Sequence, residues 1–224
     1  MNLSVQLTMH MSALGYDATS TITQEIVKKL SCYLDLIEKW NRIHNLTSIR
    51  KPEDMLTHHV MDCLAVLPLI GGQRLADVGS GAGLPGIPIA VARPNWHVAL
   101  IESSQKKAAF LHQVKFELKL RNVAIIARRA ENFHPNEKFN IVISRALCSL
   151  QNFILLAEHL LDESSTDSRL AVMKGINPEE EIRQLPANYF IEKVSPVCVP
   201  GLNAKRHLVF IKKKTNHNIS TQLN

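Results

Sequence analysis

The first 27 residues contain neither lysine nor arginine, so they lack the cationic start that secretory and transit peptides use. No run of about 18 apolar residues occurs, and no membrane-spanning helix is expected. The four cysteines (Cys32, Cys63, Cys148, Cys198) form no Cys-x-x-Cys pair. Scattered in this way they read as buried, reduced thiols rather than a disulfide framework. None of the ten histidines, the adjacent His58 and His59 included, stands at a His-Glu-x-x-His or similar spacing, so no metal is expected. Internal repeats and low-complexity segments are absent, and no exposed apolar seam asks for a partner. These absences lead to the expectation of a cytoplasmic, monomeric, metal-free globular protein with no membrane attachment.

What is present fits one full α/β domain with an accessory element: 224 residues, 46% hydrophobic and 21% charged. The formal charge is +6. Lysine and arginine cluster at 106–107, 115, 119, 121 and 128–129, and again at 205–206 and 212–214. Such an excess draws polyanions through counterion release, which makes nucleic acid the natural large partner.

The organising stretch is Leu-Ala-Asp-Val-Gly-Ser-Gly-Ala-Gly-Leu-Pro-Gly-Ile-Pro over 75–88. A short apolar strand at 75–78 runs into Gly79, Gly81, Gly83 and Gly86, with Pro85 where a helix would begin. Clustered glycines let a ligand lie against the main chain. Strand, bend and helix start describe a nucleotide-type cofactor loop at the carboxyl end of a sheet strand. Gly81, Gly83 and Gly86 satisfy Gly-x-Gly-x-x-Gly, but that pattern begins directly after the strand, where Gly79 stands instead. Counted from the strand, the bend is Asp77-x-Gly79-x-Gly81-x-Gly83. A carboxylate there suits a cation better than a pyrophosphate, and S-adenosylmethionine carries an ammonium and a sulfonium. Methyl transfer is therefore the better reading. Its rivals are an NAD-dependent oxidoreductase and a non-catalytic basic RNA-binding protein.

Around the bend the pattern alternates. Residues 1–21 carry little periodicity and read as a frayed start. Amphipathic helices are expected from 22 to about 40 and from 52 to about 67, joined by a polar connection over 41–48. Further strands are expected at 98–101, 123–127, 139–143 and 170–173. Helices are expected at 87–92, 104–120 and 150–161, with a short acidic one capped by Asn177-Pro178. Strand-like runs at 189–199 and 207–211 follow without an intervening helix and read as a hairpin, which adds an antiparallel strand. The expected fold is a Rossmann-like, mostly parallel seven-stranded sheet. Its expected divisions are an N-terminal helical cap over 1–70, a cofactor-binding core over 71–214 and a flexible tail over 215–224. Glu102 stands 23 residues past Gly79, close to the roughly 20 expected of a carboxylate that grips ribose hydroxyls. Asp77, Glu102, Glu131, Arg145 and Lys174 all follow strands, so they are expected to converge on one crevice at one sheet edge.

These residues resemble the RsmG family, also called glucose-inhibited division protein B: bacterial methyltransferases acting on 16S ribosomal RNA. The resemblance spans about 25–212. It rests on Lys39-Trp40-Asn41, Asn45-Leu46-Thr47-Ser48, His59 with Asp62, and the bend with its Gly-Leu-Pro-Gly-Ile-Pro run. Further on come Phe110-Leu111, Ile143-Ser144-Arg145-Ala146, Met173-Lys174-Gly175 and Arg206-His207-Leu208-Val209. The resemblance implies a class I methyltransferase fold, S-adenosylmethionine as cofactor, and N7 of a guanine in 16S rRNA or the small ribosomal subunit as acceptor. It places Asp77, Gly79, Gly81, Gly83, Leu84, Glu102, Ala130, Glu131 and Arg145 at the cofactor, and Arg129, Arg145 and Lys174 on the RNA. Ser80 and Ala82 replace the threonine and proline that relatives often carry.

Guanine N7 has a free lone pair, so the implied reaction needs no general base, and the sequence offers no convincing one. In-line positioning alone can supply about 7–11 kcal/mol. After the fourth strand stands Ser144-Arg145-Ala146-Leu147, not the Pro-Pro-Tyr type of motif used on exocyclic amines. Cys148 lacks the preceding proline of a cytosine nucleophile. Arg145 and Lys174 are positioning candidates, expected to hold RNA phosphates or the base carbonyl; the structural alternative pairs Arg145 with Glu131 or Asp77.

Overall fold

The computed structural model describes residues 2–214; the tail expected over 215–224 lies outside the described residues. Seven strands form one sheet: β1 (Arg74–Val78), β2 (His97–Ile101), β3 (Val123–Ile126), β4 (Ile141–Arg145), β5 (Arg169–Lys174), β6 (Tyr189–Pro196) and β7 (His207–Lys213). Their order is β3-β2-β1-β4-β5-β7-β6. β1 to β5 pair in parallel, and β7 inserts antiparallel between β5 and β6. The middle positions of the parallel strands β1 to β5 are mostly apolar and buried, because both sheet faces are covered there. Leu75, Leu100 and Ile143 point to one face, Ala76, Ile101 and Val142 to the other. From β1 the chain winds outward to β3, then returns to β4 on the other side of β1. The ends of β1 and β4 thus flank the switch point at which open α/β sheets bind ligands.

One face carries α1 (Leu3–Ala13), α2 (Thr21–His44), α3 (Pro52–Met55), α4 (Asp62–Leu64), α5 (Gly86–Ala92) and α6 (Gln105–Glu117); the other carries α7 (Leu150–Ala157), with α8 (Glu179–Arg183) near it. Residues 2–21 are not a frayed start. Asn2 caps α1 by accepting the Ser4 N–H, and the helix buries Leu7 and Met11, one turn apart, in the core. α2 outruns its expected end by one turn. Asn41 is buried there, donating to the Ile49 carbonyl (3.0 Å) and accepting the Thr47 N–H (3.0 Å), and Asn45 in a left-handed conformation closes the helix. The expected helix from 52 is broken into α3, a π-helical stretch Leu56–Met61, α4 and a 3-10 turn Leu67–Leu69. The wider turn rotates His59 and Asp62 inward, where both are buried.

The cap and the sheet share one continuous apolar cluster in which Leu30, Tyr33 and Ile37 join Ile87, Leu100 and Leu111. Two hydrogen bonds cross it: Tyr33 Oη donates to the Ala82 carbonyl in the glycine bend (2.6 Å), and Trp40 Nε1 donates to Gln113 Oε1 (2.7 Å). Asn177 does not cap α8; it donates to Glu179 instead. Of the four cysteines expected to be buried, only Cys63 is; Cys32 and Cys148 are half-buried and Cys198 is exposed.

Candidate active site

The glycine bend bonds to its own frame. Gly79 and Ser80 donate their N–H groups to the Ile101 carbonyl (2.9 and 3.2 Å), and Gly83 and Leu84 donate to the Ser80 carbonyl (2.7 and 2.9 Å). Two amides go to carboxylates: Gly81 to Glu102 Oε2 and Gly86 to Asp77 Oδ2, each at 2.8 Å. A pyrophosphate site offers free loop amides and an open helix start. Here Asp77 occupies the start of α5 and Glu102 the middle of the bend, so the seat of an anion is filled by the protein's own acids.

Asp77 is fully buried, and its Oδ1 has no hydrogen-bond partner. Burial pushes its carboxyl up to about 7, against the pull of the Gly86 N–H and the Arg145 charge. An unpartnered buried acceptor of this kind is costly, and a positive charge nearby would favour its ionised form. Asp77 lies under the bend rather than on its open side. Glu102 also accepts the Ser104 N–H (2.8 Å) through Oε1, and each oxygen keeps a further lone pair. Beside the bend is a cavity of about 180 Å³ lined by Gly79, Ile101, Ser103, Ala130, Glu131 and Leu147. Arg129 is exposed on its rim, whereas the Leu84 side chain is turned into the core.

A second cavity, of about 320 Å³, opens between the cap and the ends of β4, β5 and β7. Arg145 reaches into it, with Nη1 donating to the His58 carbonyl (2.8 Å) and to Asp62 Oδ2 (3.2 Å). Asp62 Oδ1 accepts from Arg206 Nε (3.0 Å), so one buried carboxylate anchors two guanidiniums. His59 Nδ1 faces Arg145 (3.4 Å) and Nε2 faces Thr47 Oγ1 (2.8 Å). Burial and the Arg145 charge lower its pKa to about 4, which keeps the ring neutral. Lys174 donates to both oxygens of Glu181 (2.9 Å each) and to the Cys148 carbonyl (3.2 Å).

The five strand-end side chains therefore do not meet in one crevice. Asp77 and Glu102 are bonded to the bend, and Glu131 lines the cavity beside it; Arg145 and Lys174 line the other cavity. Nor does Arg145 pair with Glu131 or Asp77, since Asp62 takes that place. Tyr189 and Lys193, at the Tyr-x-x-x-Lys spacing of some oxidoreductases, lie on β6 at the sheet edge away from the bend, and the Tyr189 hydroxyl is bonded to Glu158.

Residues 26–209 match the family model for rRNA small subunit methyltransferase G. The chain belongs to that family. Methyltransferase G of Nitrosospira multiformis is 52% identical over 217 residues, spanning 95% of this chain and 99% of its own length. The Nitrosomonas eutropha protein of the same name is 49% identical over 212 residues, spanning 95% and 98%. Among solved structures, the glycopeptide N-methyltransferase MtfA complexed with S-adenosyl-L-methionine aligns with TM-score 0.58 at 10% identity, covering 70% of this chain and 88% of that one. MtNAS in complex with MTA and tNA aligns with TM-score 0.55 at 14% identity, covering 87% and 76%; both likenesses concern the fold.

The run of strand ends does not point to Asp62, His59, Thr47 or Arg206, which the fold gathers around Arg145. Their motifs were visible, but nothing in the order of elements announces that a cap residue will bind a strand-end arginine 83 positions away.

Proposed function

We propose that the chain transfers a methyl group from S-adenosylmethionine to N7 of a guanine in 16S rRNA, acting in the cytoplasm as a monomer on the RNA or the small subunit. The observation that carries the donor assignment is the bend whose Gly79, Ser80, Gly81, Gly83, Leu84 and Gly86 amides are bonded within the protein and whose acid Asp77 keeps one buried oxygen unpartnered. Gly79, Gly81, Gly83 and Leu84 shape the seat, Asp77 faces the donor's positive end from beneath, Glu102 takes the ribose, and Ala130 and Glu131 border the adenine. When bound, the donor supplies an electrophilic methyl. The chain's own work is to align N7 behind it, with Arg129 and the Arg145–Lys174 crevice engaging the RNA.

The charge arrangement suits a base that becomes cationic. Asp62 is shared by Arg145 and Arg206, and Glu181 pairs with Lys174, so two carboxylates offset most of the charge of the three cations and make the crevice less repulsive than free cations would. His59 stays neutral beside them, and a reaction at a free lone pair has no proton for it to remove.

The decisive experiment is transfer from labelled donor to 16S rRNA and to 30S particles, with the modified base mapped and NAD titrated in parallel. Product at a guanine N7 supports the reading; NAD binding without S-adenosylmethionine binding sinks it. The buried carboxyl adds a pH signature. At pH 6 Asp77 is largely protonated and at pH 8 largely ionised, and the cationic donor binds the ionised form. Donor affinity should therefore be about tenfold weaker at pH 6 than at pH 8, with proton release near pH 7 in calorimetry. A flat profile would break the link to Asp77, as would an unchanged profile in Asp77→Asn. By the same shift, the Asp77 contribution to stability declines as pH rises from 3.8 to about 7.

A further inference from the structure

We propose that the end of α6 remote from the glycine bend is a second RNA-contact surface, where the Phe116 ring stacks on an unpaired base while Lys119 and Arg121 hold the adjoining phosphates. The inference rests on the ribosomal RNA substrate proposed above and adds a contact outside both cavities of the active site.

Phe116 is 80% exposed, the most exposed large apolar side chain among the described residues. Its helix buries Phe110, Leu111 and Val114 on the opposite side, so the core gains nothing from this phenyl group. Lys119 stands just past the helix end, where its N–H donates to the Phe116 carbonyl (3.1 Å). Lys119 and Arg121, with Lys29, line an open cavity of about 420 Å³. Lys29 is paired with Glu25 (3.1 Å), while Lys119 and Arg121 form no ion pair among the described residues. Glu117 is the remaining acid of the helix end. The backbone adds a third sign. Lys119 has φ +53°, a left-handed helix exit at which glycine is the relaxed choice. A long cation is kept there against a local conformational penalty.

An exposed aromatic ring beside unpaired cations is the usual platform for unpaired nucleotides, the ring taking a base face and the cations the backbone. The surface lies just before β3, whose far end leads to Arg128 and Arg129 beside the donor cavity. α6, about 20 Å long, separates the two ends. A short oligonucleotide in the crevice would not reach the patch; a folded RNA would extend past it.

Three proteins decide it: wild type, Phe116→Ala and Lys119→Gly/Arg121→Ser. Each is titrated with protein-free 16S rRNA across a salt series, with 30S particles, and with S-adenosylmethionine by calorimetry. The Lys119→Gly change relaxes the left-handed position, so the double variant should keep its Tm and lose RNA affinity for want of charge. Its affinity should fall about tenfold, and the slope of log K against log salt should become shallower by about 1.4, the equivalent of two phosphates. Phe116→Ala should lose about 5- to 100-fold in affinity with the slope unchanged. Donor binding should be that of wild type in both. Wild-type RNA affinity and slope in both variants would overturn the proposal. So would losses seen with 30S particles but not with protein-free rRNA, which would assign the surface to a ribosomal protein. If wild type binds no donor yet the RNA losses appear, the methyl-transfer reading fails while this surface stands.

Discussion

Gly86→Ala should lower the melting temperature by roughly 10 °C, a loss of about 2–6 kcal/mol at about 2–4 °C per kcal/mol for a chain of this size. A Cβ at Gly86 would stand 2.2 Å from Leu100 Cδ2 and 2.8 Å from Asp77 Oδ2. Leu100 is in the centre of the sheet and fully buried, so it has nowhere to go, and overpacking of this kind costs about 1–3 kcal/mol. Any outward shift of α5 that eases this clash in part would also break the Gly86–Asp77 hydrogen bond. A fully buried carboxylate would then have two unpartnered oxygens, at about 1–3 kcal/mol more. Gly81→Ala is the control. Gly81 has φ +59°, and a methyl group there would meet only the Gly79 carbonyl, at 3.9 Å, so the change should cost about 1–2 kcal/mol of backbone strain alone. Thermal unfolding of the two variants side by side checks the contrast, and equal melting temperatures would refute it.

Asp62→Ala should remove methyl transfer by a factor of at least about 100, the scale of a misplaced positioning group, and destabilise the protein by about 3–5 kcal/mol. The carboxylate side chain is 5% exposed and sits between guanidiniums that are themselves only 20% and 22% exposed. Without it two like charges face each other with little solvent between them. Overall RNA affinity should not fall in parallel, because the variant is more basic. Adding Arg206→Met should recover part of the lost stability, because it removes one of the uncompensated charges. The measurements are urea unfolding of the single and double variants and single-turnover transfer on 16S rRNA. A stable, active Asp62→Ala protein would mean that the two-arginine anchor does not position the crevice.

Both experiments target contacts of different legibility in the sequence. The glycine bend and the alternation of strand and helix could be read directly, because each apolar strand run carries its own signal and Gly79, Gly81, Gly83 and Gly86 punctuate it. The hairpin that adds an antiparallel strand was equally readable. α1 was not, since it buries only Leu7 and Met11, too few to set a period. Asn41 stays helical because the loop beyond it satisfies its side chain, a tertiary effect that propensity does not contain. The π-helical stretch turns His59 and Asp62 by an amount that a 3.6-residue period does not anticipate. Asp77 was recognised as the acid of the bend, but which side of the main chain it occupies depends on its bond to Gly86. The sequence places Lys174 on the RNA, and only the fold brings Glu181 to it.

The hydroxyl of Tyr33 on the Ala82 carbonyl bears on how small this enzyme can be made. A truncated chain beginning at β1 would keep every glycine of the bend and still lose this strut from the cap side, while Ile87, Leu100 and Leu111 would be laid open to water. Such a fragment is expected to expose apolar surface that invites aggregation, which we propose ties the leading helices to the core as one folding unit.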